Sequence, residues 1–136
     1  MIGLLVITHC QLAKELLDAA EFIVGAIKSV EHVSIDASKD SKNLLETIEK
    51  KMQILDQGQG VLVLTDMFGG TPSNLALSFL DRDTIEVVTG INLPMVIAVA
   101  HSREGHSLSE VANMAMTAGR RSISLASELL KPKEEK

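Results

Sequence analysis

Leu64-Thr65-Asp66-Met67-Phe68-Gly69-Gly70-Thr71-Pro72 is the stretch that decides the fold. The residues leading into it, 60–65, are too uniformly apolar to keep a wet face, as expected of a strand in a parallel sheet covered on both sides. Thr71 is a good helix N-cap and Pro72 suits a first helical turn, so a helix is predicted from there to about Leu80. The stretch reads strand, glycine turn, helix, with the Asp66 carboxylate at the carboxyl end of the strand.

The same alternation extends outward in both directions. Residues 2–7 are a nearly continuous apolar strand that delivers Thr8, His9 and Cys10, and residues 11–26 carry Leu12, Leu16, Ala19, Ala20, Ile23 and Val24 at helical spacing. Residues 30–35 form a second strand. Asp40 or Ser41 then caps a helix with Leu44, Leu45, Ile48, Met52 and Leu55 on one face, closed by Gly58 and Gly60. Residues 84–89 supply a fourth strand. Residues 93–100 are read as helix because Asn92 followed by Pro94 marks a helix start, against the strand preference of Val96, Ile97 and Val99. Ser107 and Glu110 form a capping box for a helix over 107–118, which Gly119 ends. Residues 120–130 fit a strand with Ile123 and Leu125 on one face, or a continued helix, and residues 131–136 read as a charged, frayed tail.

Strands alternating with helices predict a doubly wound α/β domain over residues 1–130 with a mainly parallel sheet and right-handed crossovers. A chain of 136 residues fits one such domain. Its apolar runs are too short for a membrane span and no basic leader precedes residue 2, so a cytoplasmic location is expected. Cys10 is the only cysteine, which excludes an internal disulfide or a thiolate metal cluster within one chain. A net charge of -5 and an aromatic content of 2%, without Trp or Tyr, give neither the basic footprint nor the stacking platforms of a nucleic-acid binder.

In a doubly wound sheet, ligands bind at the carboxyl ends of the strands where the strand order reverses, which for the order 2-1-3-4 lies between strands 1 and 3. His9 and Asp66 stand at those two ends. Singly, a histidine after a strand is usually structural and an aspartate can simply cap a turn. Together they can make a nucleophile and its orienter: a carboxylate at one ring nitrogen fixes the tautomer that leaves the other free. Gly69 and Gly70 permit close backbone approach to a ligand, and Thr71 and Thr8 offer hydroxyls to phosphoryl oxygens. Phosphoryl transfer needs mainly positioning and charge stabilisation, so this set suggests a phosphohistidine formed without metal or cofactor.

Thr8-His9, the run Asp66-Met67-Phe68-Gly69-Gly70-Thr71-Pro72-Ser73-Asn74 and the run Gly90-Ile91-Asn92-Leu93-Pro94-Met95 resemble the mannose-type enzyme IIA domains of the bacterial phosphoenolpyruvate-dependent sugar phosphotransferase system. The likeness covers essentially the whole chain, with the motifs in order. It implies that His9 accepts a phosphoryl group from phospho-HPr and passes it to an enzyme IIB in sugar uptake, touching the membrane only through the transporter complex. By the same resemblance, Asp66 is the carboxylate bonded to the histidine and Thr71 the hydroxyl of the glycine turn. It further implies a homodimer that exchanges an antiparallel fifth strand, which would be residues 120–130. Two positions depart from the pattern: Cys10 stands where family members usually have glycine, and Gln11 where an aromatic residue often follows soon after. If that glycine serves a positive φ, Cys10 is forced into the same conformation. Alternatives are a regulatory sensor of phosphotransferase flux, a phosphoryl donor to dihydroxyacetone kinase, and a receiver-like domain phosphorylated on Asp66. The last would need an acidic pair after strand 1, where this chain has Thr8 and His9.

Overall fold

The computed structural model describes residues 1–36 and 40–132. Four strands, β1 (Gly3–His9), β2 (Val30–Ile35), β3 (Val61–Thr65) and β4 (Ile85–Thr89), form one parallel sheet in the order β2-β1-β3-β4. The predicted strand order is therefore observed. The register sets Ile7 beside Thr65, so that the residues which follow, at the carboxyl ends of β1 and β3, emerge side by side.

Among the described residues, six helices complete the fold: α1 (Leu12–Val24), α2 (Ser41–Leu55), α3 (Thr71–Leu77), α4 (Leu93–Ala100), α5 (Leu108–Arg121) and α6 (Ala126–Leu129). They divide the core into two layers. Leu4, Val6, Leu62 and Leu64 face α1, α4 and α5, packing with Leu17, Ala20, Val96, Val99 and Val111. Leu5, Ile7, Val61 and Val63 face the opposite side and pack with Leu44, Ile48, Met52, Leu75 and Phe79. Alternate residues of each central strand thus enter opposite cores, which is why β1 and β3 are apolar throughout. Each buried Leu or Ile contributes about 1.5–3 kcal/mol relative to exposure, so the two central strands anchor the scaffold on which their end loops ride.

The helix starts follow local chemistry. The Asp40 side chain accepts the Asn43 amide hydrogen and Asn92 accepts that of Met95, while Ser107 and Glu110 complete the expected capping box. Asn92 Nδ2 also donates to the Gly119 carbonyl at 3.0 Å, tying α4 to α5. Residues 93–100 are helical, as the Asn-x-Pro start indicated over the β-branched composition.

Several boundaries differ from the sequence reading. Gly119 does not end α5, which continues to Arg121. Its hydrogen instead permits contact with α4, because a Cβ there would lie 2.7 Å from Met95 Cε. Helix α3 stops at Leu77 rather than near Leu80, and the chain tightens into bonds from Phe79 N–H to the Ala76 carbonyl and from Leu80 N–H to that of Leu77. Residues 120–130 add no fifth strand to the sheet: they finish α5 and make the short α6, whose first turn closes on the Leu125 carbonyl. An exchanged strand pairs with another subunit, and within one chain this segment closes on itself. Of the expected tail, residues 133–136 lie outside the described residues, as do 37–39.

Arg103 was not singled out by the sequence reading, yet it is buried and knits the amino-terminal end of the sheet. Its guanidinium donates to the carbonyls of Ile2 (2.8 Å), Ser29 (3.0 Å), Lys28 and Ala100 (3.3 Å). Among the described residues, no helix is long and apolar enough to cross a membrane.

Candidate functional site

His9 is the last residue of β1, and Asp66 follows directly on β3. Asp66 Oδ2 accepts the His9 backbone N–H at 2.9 Å and lies 2.7 Å from His9 Nδ1. Asp66 Oδ1 accepts the Met67 amide hydrogen at 2.8 Å. One carboxylate therefore grips the histidine at backbone and ring. With the side chain of His9 46% exposed and that of Asp66 12% exposed, the imidazole faces solvent and the carboxylate is sheltered. Burial pushes the Asp66 carboxyl up, but the bonds from the His9 amide, the His9 ring and the Met67 amide together outweigh it and hold the pKa below its ordinary 3.8. An ionised carboxylate at Nδ1 favours the tautomer that carries its proton there, leaving Nε2 with its lone pair.

The glycine turn closes against this ring. A Cβ on Gly70 would lie 2.9 Å from His9 Cε1, so any side chain there has to displace the imidazole. Gly69 adopts φ +88, a conformation L residues rarely take. The expected cap is displaced by one residue: Gly70, not Thr71, is the N-cap of α3, and Thr71 is the first helical residue. Thr71 is exposed and shares the wall of a cavity of about 410 Å³ with His9, Cys10, Asp36 and Ser41.

Thr8 and Gly69 are placed otherwise than their expected roles require. Thr8 is fully buried, and its hydroxyl accepts the Ala13 amide hydrogen at 2.7 Å, so it fastens the start of α1 instead of lining the crevice. The Gly69 amide is spent on Ser73 Oγ at 2.9 Å. The amides of Gly70 and Thr71 have no acceptor among the described residues. Asp66, with both oxygens engaged by His9 and Met67, is poorly set up to be phosphorylated itself, against the receiver-like alternative.

Cys10 has φ 52, the left-handed conformation that a glycine would take without strain, and its amide donates to the Ile35 carbonyl at 2.8 Å. A non-glycine residue there costs about 1–2 kcal/mol, partly offset by the smaller entropy its unfolded chain loses. Cys10→Gly is therefore expected to raise stability by up to about 1 kcal/mol in urea unfolding, with Cys10→Ala giving no such gain.

Comparison with known proteins supplies the wider context. Residues 3–116 match the family model described as PTS system fructose IIA component. The chain is 30% identical over 124 residues to the PTS system mannose-specific EIIAB component of Escherichia coli, covering 90% of this chain and 38% of that protein. It is 28% identical over 131 residues to the PTS system fructose-specific EIIA component of Bacillus subtilis, covering 96% of this chain and 90% of the relative. Its backbone superposes on the crystal structure of the PTS IIA protein associated with the fucose utilization operon of Streptococcus pneumoniae with a TM-score of 0.84 and 29% identity, over 95% and 96% of the two chains. With the strand order, the histidine and aspartate at the switch point and the family model agreeing over most of its length, the chain belongs to the mannose-type enzyme IIA family of the phosphotransferase system.

Proposed function

We propose that this protein is a phosphoryl carrier of sugar uptake, taking a phosphoryl group from phospho-HPr on His9 Nε2 and passing it to an enzyme IIB. The observation that carries the reading is the 2.7 Å contact between Asp66 Oδ2 and His9 Nδ1, which commits one ring nitrogen and leaves the other as nucleophile. In the forward step the Nε2 lone pair forms the new N–P bond as the N–P bond to the donor histidine breaks. The proton on Nδ1 stays in place, and the Asp66 carboxylate compensates the positive charge that the ring gains. The amides of Gly70 and Thr71, with the Thr71 hydroxyl, are the donors proposed for the phosphoryl oxygens. Transfer to enzyme IIB repeats the step with His9 as the leaving group.

Met67 and Phe68, 56% and 73% exposed beside the glycine turn, give the site an apolar rim of the kind on which a partner can close. The matched relatives carry the names of different sugars, so the sugar is left to other components of the system. A homodimer is proposed on two further observations: β4 is an open edge of the sheet, and Ile123, Leu125, Leu129 and Leu130 are all more than half exposed in the segment that exchange would consume.

The test is phosphosite mapping after incubation with phosphoenolpyruvate, enzyme I and HPr. Acid-labile, alkali-stable phosphate on His9 is expected, followed by its discharge on adding enzyme IIB. Alkali-labile phosphate on Asp66, or label on any other histidine, overturns the assignment.

A further inference from the structure

Ser73 lies three residues beyond Gly70 in the first turn of α3, is fully buried, and spends its hydroxyl on the glycine turn alone. Its Oγ accepts the Gly69 N–H at 2.9 Å and donates to the Gly70 carbonyl at 3.1 Å. A serine within a helix ordinarily bonds back to a carbonyl of its own helix or turns to solvent. Here the bond to the carbonyl of Gly70, the N-cap, is such a back-bond, whereas the bond from the Gly69 N–H reaches out of the helix into the turn beside His9. Gly69, held at φ +88, and Gly70, where a Cβ would lie 2.9 Å from His9 Cε1, are consecutive residues fastened by this one oxygen.

We propose that Ser73 is a positioning residue for phosphoryl transfer: it holds Gly69 and Gly70 as a stop against the His9 ring, in addition to the grip of Asp66, so that Nε2 keeps a single aim. The ring is thereby restrained at two adjacent atoms. Asp66 holds Nδ1, and Gly70, where a Cβ would come within 2.9 Å of Cε1, crowds the atom between the two nitrogens. Taking the Gly69 amide also leaves the next two amides, of Gly70 and Thr71, without a protein acceptor among the described residues. Without Ser73 Oγ the Gly69 amide loses its acceptor and the Gly70 carbonyl keeps only the Asn74 N–H at 2.9 Å, and the turn can rotate away. In-line transfer is sensitive to such displacement, since a misplacement of about 1 Å can cost about a hundredfold in rate.

This inference rests on the carrier reading for its kinetic consequence and on geometry alone for its structural one, and the experiment separates them. Ser73→Ala and Ser73→Cys are compared with the parent in two measurements: hydrogen exchange at the Gly69 amide together with the ¹⁵N shifts of the His9 ring, and the kcat and KM for phosphorylation by phospho-HPr. In Ser73→Ala the Gly69 amide is expected to exchange at least about tenfold faster. The His9 ring signals should shift or broaden, and kcat should fall about ten- to a hundredfold with KM within about twofold of the parent. Ser73→Cys, which retains a weak donor and acceptor, should recover part of each change. Unchanged Gly69 exchange and His9 shifts, or a loss confined to KM, overturn the role of Ser73. Failure of the parent itself to take phosphate on His9 overturns the carrier reading instead, while the exchange and ring spectra still decide whether Ser73 holds the turn.

Discussion

Replacing His9 by alanine is expected to abolish phosphorylation of this protein by phosphoenolpyruvate, enzyme I and HPr, while leaving it folded. Among the described residues, no second activated nucleophile stands in the site. His32, His101 and His106 lie elsewhere: His101 Nε2 is bonded to the Val24 carbonyl, and His106 pairs with Glu110 at the start of α5. Cys10 is next to His9 in sequence and exposed, but among the described residues no base is bonded to its thiol. Asp66, freed from its partner in the variant, gains no metal-binding carboxylate beside it from Thr8 or His9, so it does not become a receiver-type acceptor. The variant stays folded because the His9 side chain is half exposed and, among the described residues, bonds only to Asp66, whereas β1 is held by its backbone ladders and by Leu4, Leu5, Val6 and Ile7 in the two cores. The stability loss should therefore stay within about 1–2 kcal/mol. Label in the parent and none in His9→Ala, with matching circular dichroism and comparable unfolding midpoints, is the expected result. Label retained at another residue would remove His9 from the mechanism.

How much of this was legible beforehand depended on the range of the interactions involved. The sheet was legible because β1 and β3 sit between two cores and carry an apolar residue at nearly every position, a pattern no amphipathic helix shows. The pairing of His9 with Asp66 needed only the strand order, since parallel neighbours end at the same side and the register adds no offset beyond the loop residues. The misreadings occurred where a residue's role is set by what packs against it. Gly119 looked like a helix terminator because nothing local shows that α5 crosses Met95 there. Thr8 looked like a ligand donor, but it is fully buried, with its hydroxyl oxygen accepting the Ala13 amide hydrogen. Thr71 looked like a cap because the sequence cannot distinguish it from Gly70, whose backbone alone fills that position. Ser73 gave no signal at all: a serine at that spacing is common, and only the tertiary turn shows where its hydroxyl goes. Cys10 was legible in a different way, because a left-handed φ at that position was the stated consequence if the family glycine serves a positive φ.

Asp66→Asn is expected to keep the fold and lower the phosphoryl transfer rate by about a hundredfold, on the scale seen when a carboxylate orienting a catalytic or ligating histidine is altered. The size of the effect follows from donor and acceptor counting. The carboxylate receives three N–H groups, two from His9 at Oδ2 and one from Met67 at Oδ1, and an asparagine has only one oxygen. If that oxygen faces His9, the amide nitrogen meets the Met67 N–H donor to donor. If it faces Met67, the nitrogen meets the His9 amide and ring, expels the Nδ1 proton and selects the tautomer in which Nε2 is protonated and not nucleophilic. Either orientation also removes the negative charge that offsets the ring's positive charge during transfer. Loss of charge-assisted bonds should cost about 1–3 kcal/mol of stability at neutral pH. That cost carries its own pH signature. The native carboxyl has a pKa below the ordinary 3.8, so its contribution is fully present above that value and is lost as the pH falls through the lower native one. The stability gap between the parent and Asp66→Asn, measured by urea unfolding, should be constant from neutral pH down to about pH 5 and shrink below about pH 4. A gap that stays constant to about pH 3 would show that the bonds to His9 and Met67 do not stabilise the ionised form. Transfer at the parent rate in Asp66→Asn would show that the carboxylate does not orient the nucleophile.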